Sequence, residues 1–194
     1  MHINIIKQNV QLIAYTPEPE KLIEHAGRIC YRSMDKITDT SHGDFIQRLI
    51  NLGHLSVLEH ASATFFITCD RGISHELVRH RLASFSQEST RYCNYAKDKF
   101  ASTIDIIADT PSEDITCLQP AIDTYEQLIN KGVSPQYARD FLPTCLATRL
   151  YMTANFREWL HIIKLRTSTG AHPRIQSLIN DIWDYLRELA PHVF

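Results

Sequence analysis

The sequence lacks any run of about 18 apolar residues, the length a membrane-spanning helix needs. It lacks G-x-x-x-x-G-K-[ST] and G-x-G-x-x-G, which excludes a P-loop and a Rossmann phosphate site. Neither a G-x-S-x-G elbow nor an H-E-x-x-H pair is present. Glycine (6) and proline (8) are too sparse for a collagen-like or low-complexity chain. Cysteine is scarce and scattered. Cys30, Cys69, Cys93, Cys117 and Cys145 are odd in number and form no C-x-x-C pair. That spacing favours reduced thiols in a cytoplasmic protein over disulfides or a zinc site. The opening MHINIIKQNVQ lacks the basic, apolar and small-residue pattern of a secretory signal. A large charge of one sign is absent too. The net charge of −2 argues against a general nucleic-acid binder while leaving room for a local arginine patch. His54 and His60 have no third ligand close by, so no metal is expected.

What is present suits one globular domain, 1–194. With 194 residues, 44% apolar and 22% charged, the chain is long enough for its own core. Residues 9–15 read as a short strand ending at Thr16-Pro17, and helical spacing follows from Glu18 to about Tyr31. A second helix around Phe45–Leu52 stops at Gly53. Residues 61–69 alternate, with Ala63, Phe65, Ile67 and Cys69 on one face, and form the clearest strand. A helix is expected over Ile73–Leu82 and a strand at Thr103–Ala108. Beyond Pro111 the pattern turns helical over about 112–131, 134–153, 155–166 and 173–189, with Ser134 and Asn155 as candidate caps. The class is α+β, with strands in the N-terminal half, a helical C-terminal half and no βαβ alternation.

Residues 79–92, RHRLASFSQESTRY, concentrate arginine and hydroxyl side chains against a single glutamate. Guanidinium forks match phosphate oxygens, and Ser/Thr hydroxyls complete such sites at low steric cost. On a helix Arg79 and Arg81 would lie about 200° apart, which hints at two adjacent anionic ligands. A solvated helix end with surface charge is the plainer alternative, and spacing alone leaves the ligand open.

Arg79-His80-Arg81, seven further residues and Ser89-Thr90-Arg91-Tyr92 resemble the signature of the flavin-dependent thymidylate synthases. Other segments resemble the family in its order: Gly53-His54-Leu55-Ser56-Val57-Leu58-Glu59-His60, Tyr137-Ala138-Arg139 with Leu142-Pro143, Thr153-Ala154-Asn155-Phe156-Arg157, and Lys164-Leu165-Arg166. The resemblance spans about residues 20–190. It implies the family fold, an antiparallel or mixed sheet flanked by helices. It also implies conversion of dUMP to dTMP, with 5,10-methylenetetrahydrofolate as carbon donor and FAD reduced by NADPH. Members of the family resemble homotetramers with shared active sites; from the net charge and the lack of a long apolar run, no nucleic-acid or membrane partner is expected.

By the same resemblance, Glu76, Leu77, Val78, Arg79, Gln87, Glu88, Ser89, Thr90, Arg91, Arg139 and Arg166 meet dUMP, with backbone N–H groups contributing across 87–91. Ser56, Arg79, His80, Arg81, Gln87, Asn155, Phe156, Arg157 and His161 meet FAD. Arg166 and His54 are the candidate catalytic residues. Uracil C5 is a weak nucleophile, so electron density in the ring must be raised. Ser89 could act covalently given a base within reach, or serve as a phosphate ligand. A guanidinium beside the ring, Arg166 by resemblance, could instead favour the ionised N3 form. The plainer alternatives are a helix-end arginine for Arg166 and a helix-end histidine for His54. Glu76 stands where glutamine is common and His161 where asparagine is common, and Gly170-Ala171-His172-Pro173-Arg174 departs from the family pattern. A non-catalytic nucleotide or single-stranded nucleic-acid binder, and a flavoprotein without methyl transfer, remain alternatives at this point.

Overall fold

Six strands and seven α-helices are arranged along the described residues, 1–97, 100–108 and 112–194, of the computed structural model. In order they are β1 (His2–Ile6), β2 (Asn9–Tyr15), α1 (Pro19–Ile29), α2 (His42–Asn51), β3 (Ser62–Asp70), α3 (Arg71–Leu77), β4 (Ser84–Gln87) and β5 (Thr103–Ile107). Then come α4 (Gln119–Asn130), α5 (Pro135–Ala138), β6 (Ala147–Asn155), α6 (Phe156–Arg166) and α7 (Pro173–Leu189). One sheet pairs β1 with β5 in parallel, from His2↔Thr103 to Ile6↔Ile107. The other has the order β2-β3-β6-β4. The α+β reading therefore holds.

The chain divides into two compact units. The first comprises Met1–Asn9, Ile67–Arg79 and Ser86–Leu150; the second comprises Val10–Phe66, His80–Phe85 and Tyr151–Phe194. The first buries Tyr95, Ile104, Ile122, Tyr125, Ile129, Ala138 and Leu146 in one cluster. Burial pushes the Tyr95 and Tyr125 hydroxyls up, and Tyr125 Oη accepts from the Tyr95 N–H at 3.2 Å. The second is built around α6 and α7. Ile175, Leu178, Ile179, Ile182 and Leu186 form a buried stripe at helical spacing along α7. Trp159 of α6 is fully buried, stacks edge-on with Phe65 at 5.2 Å and donates through Nε1 to the Ala63 carbonyl. Those contacts set the rotation of α6 and hence which of its side chains leave the core.

Most expected elements form. In β3 the alternation holds, with Ala63, Phe65, Ile67 and Cys69 all buried, and desolvation pushes the Cys69 thiol up to about 12. Gly53, at φ 75, ends the turn after α2 in the left-handed region that glycine tolerates. Two expectations fail. A helix over 134–153 does not form: α5 is one turn, Pro143 follows, and residues 147–155 are strand β6. Thr148, Leu150, Met152 and Ala154 are buried while Arg149, Tyr151 and Thr153 face the other side, a period of two that the helical reading overlooked. The helix expected to reach Leu82 ends at Leu77, capped at its start by Asp70, whose Oδ1 accepts from Ile73 N–H at 2.7 Å. Arg79 and Arg81 therefore sit in a turn, and the helical angle between them has no bearing. The strand β1 has no counterpart in the sequence reading, and Pro111 lies outside the described residues.

Candidate active site

In the second unit Asn155 caps α6: its Oδ1 accepts from Glu158 N–H at 2.9 Å. This Asn-x-x-Glu start places Glu158 in the first turn, with His161 and Arg166 further along the same helix. Glu158 is buried, and burial pushes its carboxyl up, partly offset by His161. Its Oε1 lies 3.6 Å from Nδ1 of His80, also buried. On the other side of the ring, Nε2 accepts from Nε of Arg166 at 3.0 Å. Burial first, then the charges of Arg166 and His161, hold the His80 pKa down to about 4. A guanidinium can only donate, so His80 must be neutral with its proton on Nδ1, facing Glu158. Donation from Arg166 thus fixes the His80 tautomer and His80 in turn aims the guanidinium, while Glu158 faces Nδ1 from beyond hydrogen-bond distance. The His161 ring stands edge-on to His80 at 6.0 Å.

A cavity of about 730 Å³ adjoins this chain. Leu55, Leu82 and Leu160 give it apolar walls, and Asn155, Arg157, His161 and Lys164 give it polar ones. Arg157 is anchored by donating to Glu59 Oε1 at 2.6 Å. A second cavity of about 370 Å³ shares Leu55 and Arg157 and is lined by His54 and Ser56. The structure so brings together His54, Ser56, Asn155, Arg157 and His161 along two adjoining cavities, with His80 and Arg166 in the adjacent relay. Phe156 is fully buried against Phe194, so its ring is a core group and only its backbone can reach a ligand. Arg81 is exposed.

The first unit holds the remaining residues. Arg139 donates to Thr90 Oγ1 at 3.3 Å, and Ser89 Oγ accepts from Arg91 N–H at 3.3 Å, so residues 89–91 and Arg139 converge. Arg79, Arg91 and Arg139 are exposed. Gln87 faces inward and donates to Ser74 Oγ at 2.9 Å and Thr148 Oγ1 at 3.2 Å. The Glu88 carboxylate lies 3.6 Å from Arg149, which also binds Asp105 at 2.6 Å. No carboxylate or imidazole hydrogen-bonds Ser89 among the described residues, so the covalent role lacks its base. Of the N–H groups across 87–91, that of Glu88 already donates to the Arg149 carbonyl and that of Arg91 to Ser89 Oγ. Leu77 is fully buried, while Val78 is exposed and Glu76 half-buried.

Sequence reasoning missed Glu158 and Arg149. The Asn-x-x-Glu capping pattern at 155–158 was a legible signal for the first. Arg149 carried none, because its strand was read as helix.

Known proteins extend these observations. The family model described as "Thymidylate synthase complementing protein" matches residues 11–192. A flavin-dependent thymidylate synthase of Geobacter sulfurreducens is 34% identical over 95% of this chain and 84% of its own length. One from Corynebacterium diphtheriae is 34% identical over 91% of this chain and 78% of its own. Among solved structures, Thymidylate Synthase X from Helicobacter pylori with FAD and dUMP superposes with a TM-score of 0.84 at 24% identity, covering 96% of this chain and 97% of the other. A UMP/dUMP methylase from Streptomyces cacaoi bound with 5-Br dUMP gives 0.83 at 22% identity, over 100% of this chain and 95% of the other. At these identities the structures speak for the fold.

Proposed function

The chain belongs to the flavin-dependent thymidylate synthase family, and from that premise we propose that it makes dTMP by reductive methylation of dUMP, with 5,10-methylenetetrahydrofolate as carbon donor and NADPH as reductant. The observation that carries this reading is the Glu158–His80–Arg166 chain, which aims a guanidinium that the reaction needs. Arg166 stabilises negative charge on the pyrimidine and favours its ionised N3 form, while neutral His80 holds it in place. Exposed Arg79, Arg91 and Arg139, with Ser89 and Thr90, take the phosphate. Glu76, Leu77, Val78, Gln87 and Glu88 shape the nucleotide pocket, Leu77 through its backbone and Gln87 and Glu88 by bracing the strand end.

Whether a flavin fits is a question of volume and lining. A cavity of about 730 Å³ with leucine walls and an Asn, Arg, His and Lys rim, its Glu59 paired with Arg157 and its Glu158 turned to His80, matches a flat ring system with a charged tail. Asn155, Arg157 and His161 would hold it, joined by His54, Ser56, His80, Arg81 and the Phe156 backbone; Arg79 and Gln87 are assigned to FAD by the family resemblance alone. When bound there, FAD reduced by NADPH supplies the hydride. His54, at the mouth of the smaller cavity, orders groups close to that ring.

The family resemblance supports a homotetramer in which copies complete one another's sites, and exposed Leu82, Tyr92, Tyr137 and Leu165 are available to pack in it. The whole chain, 1–194, then acts as one functional domain. Among the described residues no helix is long and apolar enough to cross a membrane; the five cysteines are reduced, which supports a reducing cytoplasm. The test is turnover. Protein supplied with FAD, dUMP, methylenetetrahydrofolate and NADPH should yield dTMP, and omission of any one should stop it. Protein that binds dUMP and FAD yet makes no dTMP would overturn the reading.

A further inference from the structure

Glu20, His42 and His192 come from three separate segments: the first turn of α1, the first residue of α2, and the turn after α7. Their donor atoms lie within 4.8 Å of one another. Glu20 is buried at 7% exposure, and its side-chain partners among the described residues are these two histidines. His192 gives its backbone N–H to Oε1 at 2.8 Å and sets Nδ1 2.8 Å from Oε2. His42 turns Nε2 to the same Oε2 at 3.6 Å, too long for a hydrogen bond. The other ring nitrogen, His42 Nδ1, is buried without a hydrogen-bond partner.

A turn further along α1, Glu24 shows how this fold otherwise settles a buried carboxylate. It takes Arg28 at 2.7 Å and the Ser41 hydroxyl at 2.9 Å. Glu20 has no such guanidinium. A buried carboxylate needs a compensating cation. Two imidazole nitrogens around one carboxylate oxygen supply the ligands for one instead. Ligands bound at about 2.0–2.2 Å in a tetrahedron stand about 3.3–3.6 Å apart; the observed 3.6 Å matches that spacing and the 2.8 Å pair would open by about half an ångström on binding.

We propose that Glu20, His42 and His192 bind one divalent transition-metal ion, zinc(II) by ligand chemistry, which clasps the segment after α7 to the starts of α1 and α2. Two histidines and one carboxylate make a zinc donor set, and His192 and His42 are open enough for water to take the fourth position. The backbone is shaped to the ring. A Cβ on Gly43 would meet His192 Nε2 at 2.6 Å, so glycine lets α2 close on the imidazole. The second cluster of donors, His80, Glu158 and His161, is a poorer candidate, because Arg166 holds His80 Nε2 and brings a positive charge. Positions 20, 42 and 192 have no local spacing, which is why the sequence reading expects no metal.

Calorimetric titration of the flavin-loaded, full-length protein with zinc chloride tests the site. One zinc per chain should bind in the low micromolar range. A zinc concentration about a hundredfold above the dissociation constant should raise the melting temperature by about 5–10 °C. His42→Ala/His192→Ala should weaken binding at least about tenfold, as loss of even an outer-shell partner does elsewhere. Gly43→Ala should weaken it with all three ligands still present. His192→Ala alone, at a half-exposed position, carries the same test if the double variant misfolds. Absence of saturable binding, or equal binding by the variants, would overturn the proposal, since zinc held by cysteine thiols would survive these substitutions.

Discussion

Arg166 in the second unit and the arginines at 91 and 139 in the first carry the same charge in opposite settings. Arg166 is half-buried and bonded through Nε to a buried histidine whose tautomer is itself determined. Arg91 and Arg139 are exposed; among the described residues the Arg91 guanidinium has a ring contact to Tyr92 at 5.6 Å and that of Arg139 a hydrogen bond to Thr90. The contrast follows from the task. A group that stabilises charge developing on a flat ring must be oriented before the ring arrives. A group that collects a phosphate needs reach, and can be ordered by the ligand it binds.

The comparison breaks first at Arg166. Arg166→Ala should lower dTMP formation by about 100- to 1000-fold, the usual loss for a preorganised donor, while the protein keeps its yellow flavin. Steady-state turnover beside an absorbance spectrum checks this. His80→Leu removes the acceptor that aims Arg166 and should lower kcat by about 10- to 100-fold. His80→Gln, whose amide oxygen can accept from Nε, should recover part of it, with flavin affinity measured separately for each.

Acid should act on the same pair. His80 has its folded pKa pushed down to about 4, so the unfolded chain binds more protons as pH falls below the ordinary histidine value. Stability is therefore unaffected by His80 above about pH 6.5 and falls between about 6.5 and 4, by of order 3 kcal/mol. Glu158, whose carboxyl is pushed up, binds its proton earlier in the folded state and offsets part of that loss. Urea midpoints from pH 7 to 4 should thus fall more in the wild type than in His80→Gln.

Arg139→Ala probes the exposed set. KM for dUMP should rise about tenfold with kcat changed by less than about threefold, as expected for a phosphate contact used equally in ground and transition states. Ser89→Ala should do the same more weakly. Asn155→Ala, losing the cap of α6, should cost about 1 kcal/mol, or about 2–4 °C in melting temperature.

The legible parts of the sequence were those where one physical signal dominated. The alternation of Ala63, Phe65, Ile67 and Cys69, the cap at Asn155 and the glycine at 53 each marked an element that forms. Residues 147–155 were misread because Leu150 and Met152 also suit a helix, and the preceding Pro143 was given too little weight. The motif residues 79–91 were visible, but their division between anchored and exposed settings was not. His80 meets Arg166 across 86 positions, a separation that local spacing cannot register. Glu20 and His192, 172 positions apart, escaped for the same reason.

Nitrogen NMR of 15N-labelled dUMP bound to the protein reads the pyrimidine N3 directly. With Arg166 held by His80, bound N3 should be ionised at a pH where free dUMP remains protonated, and Arg166→Ala should return it to the free behaviour. An N3 that titrates alike in bound and free nucleotide would contradict the role given to Arg166.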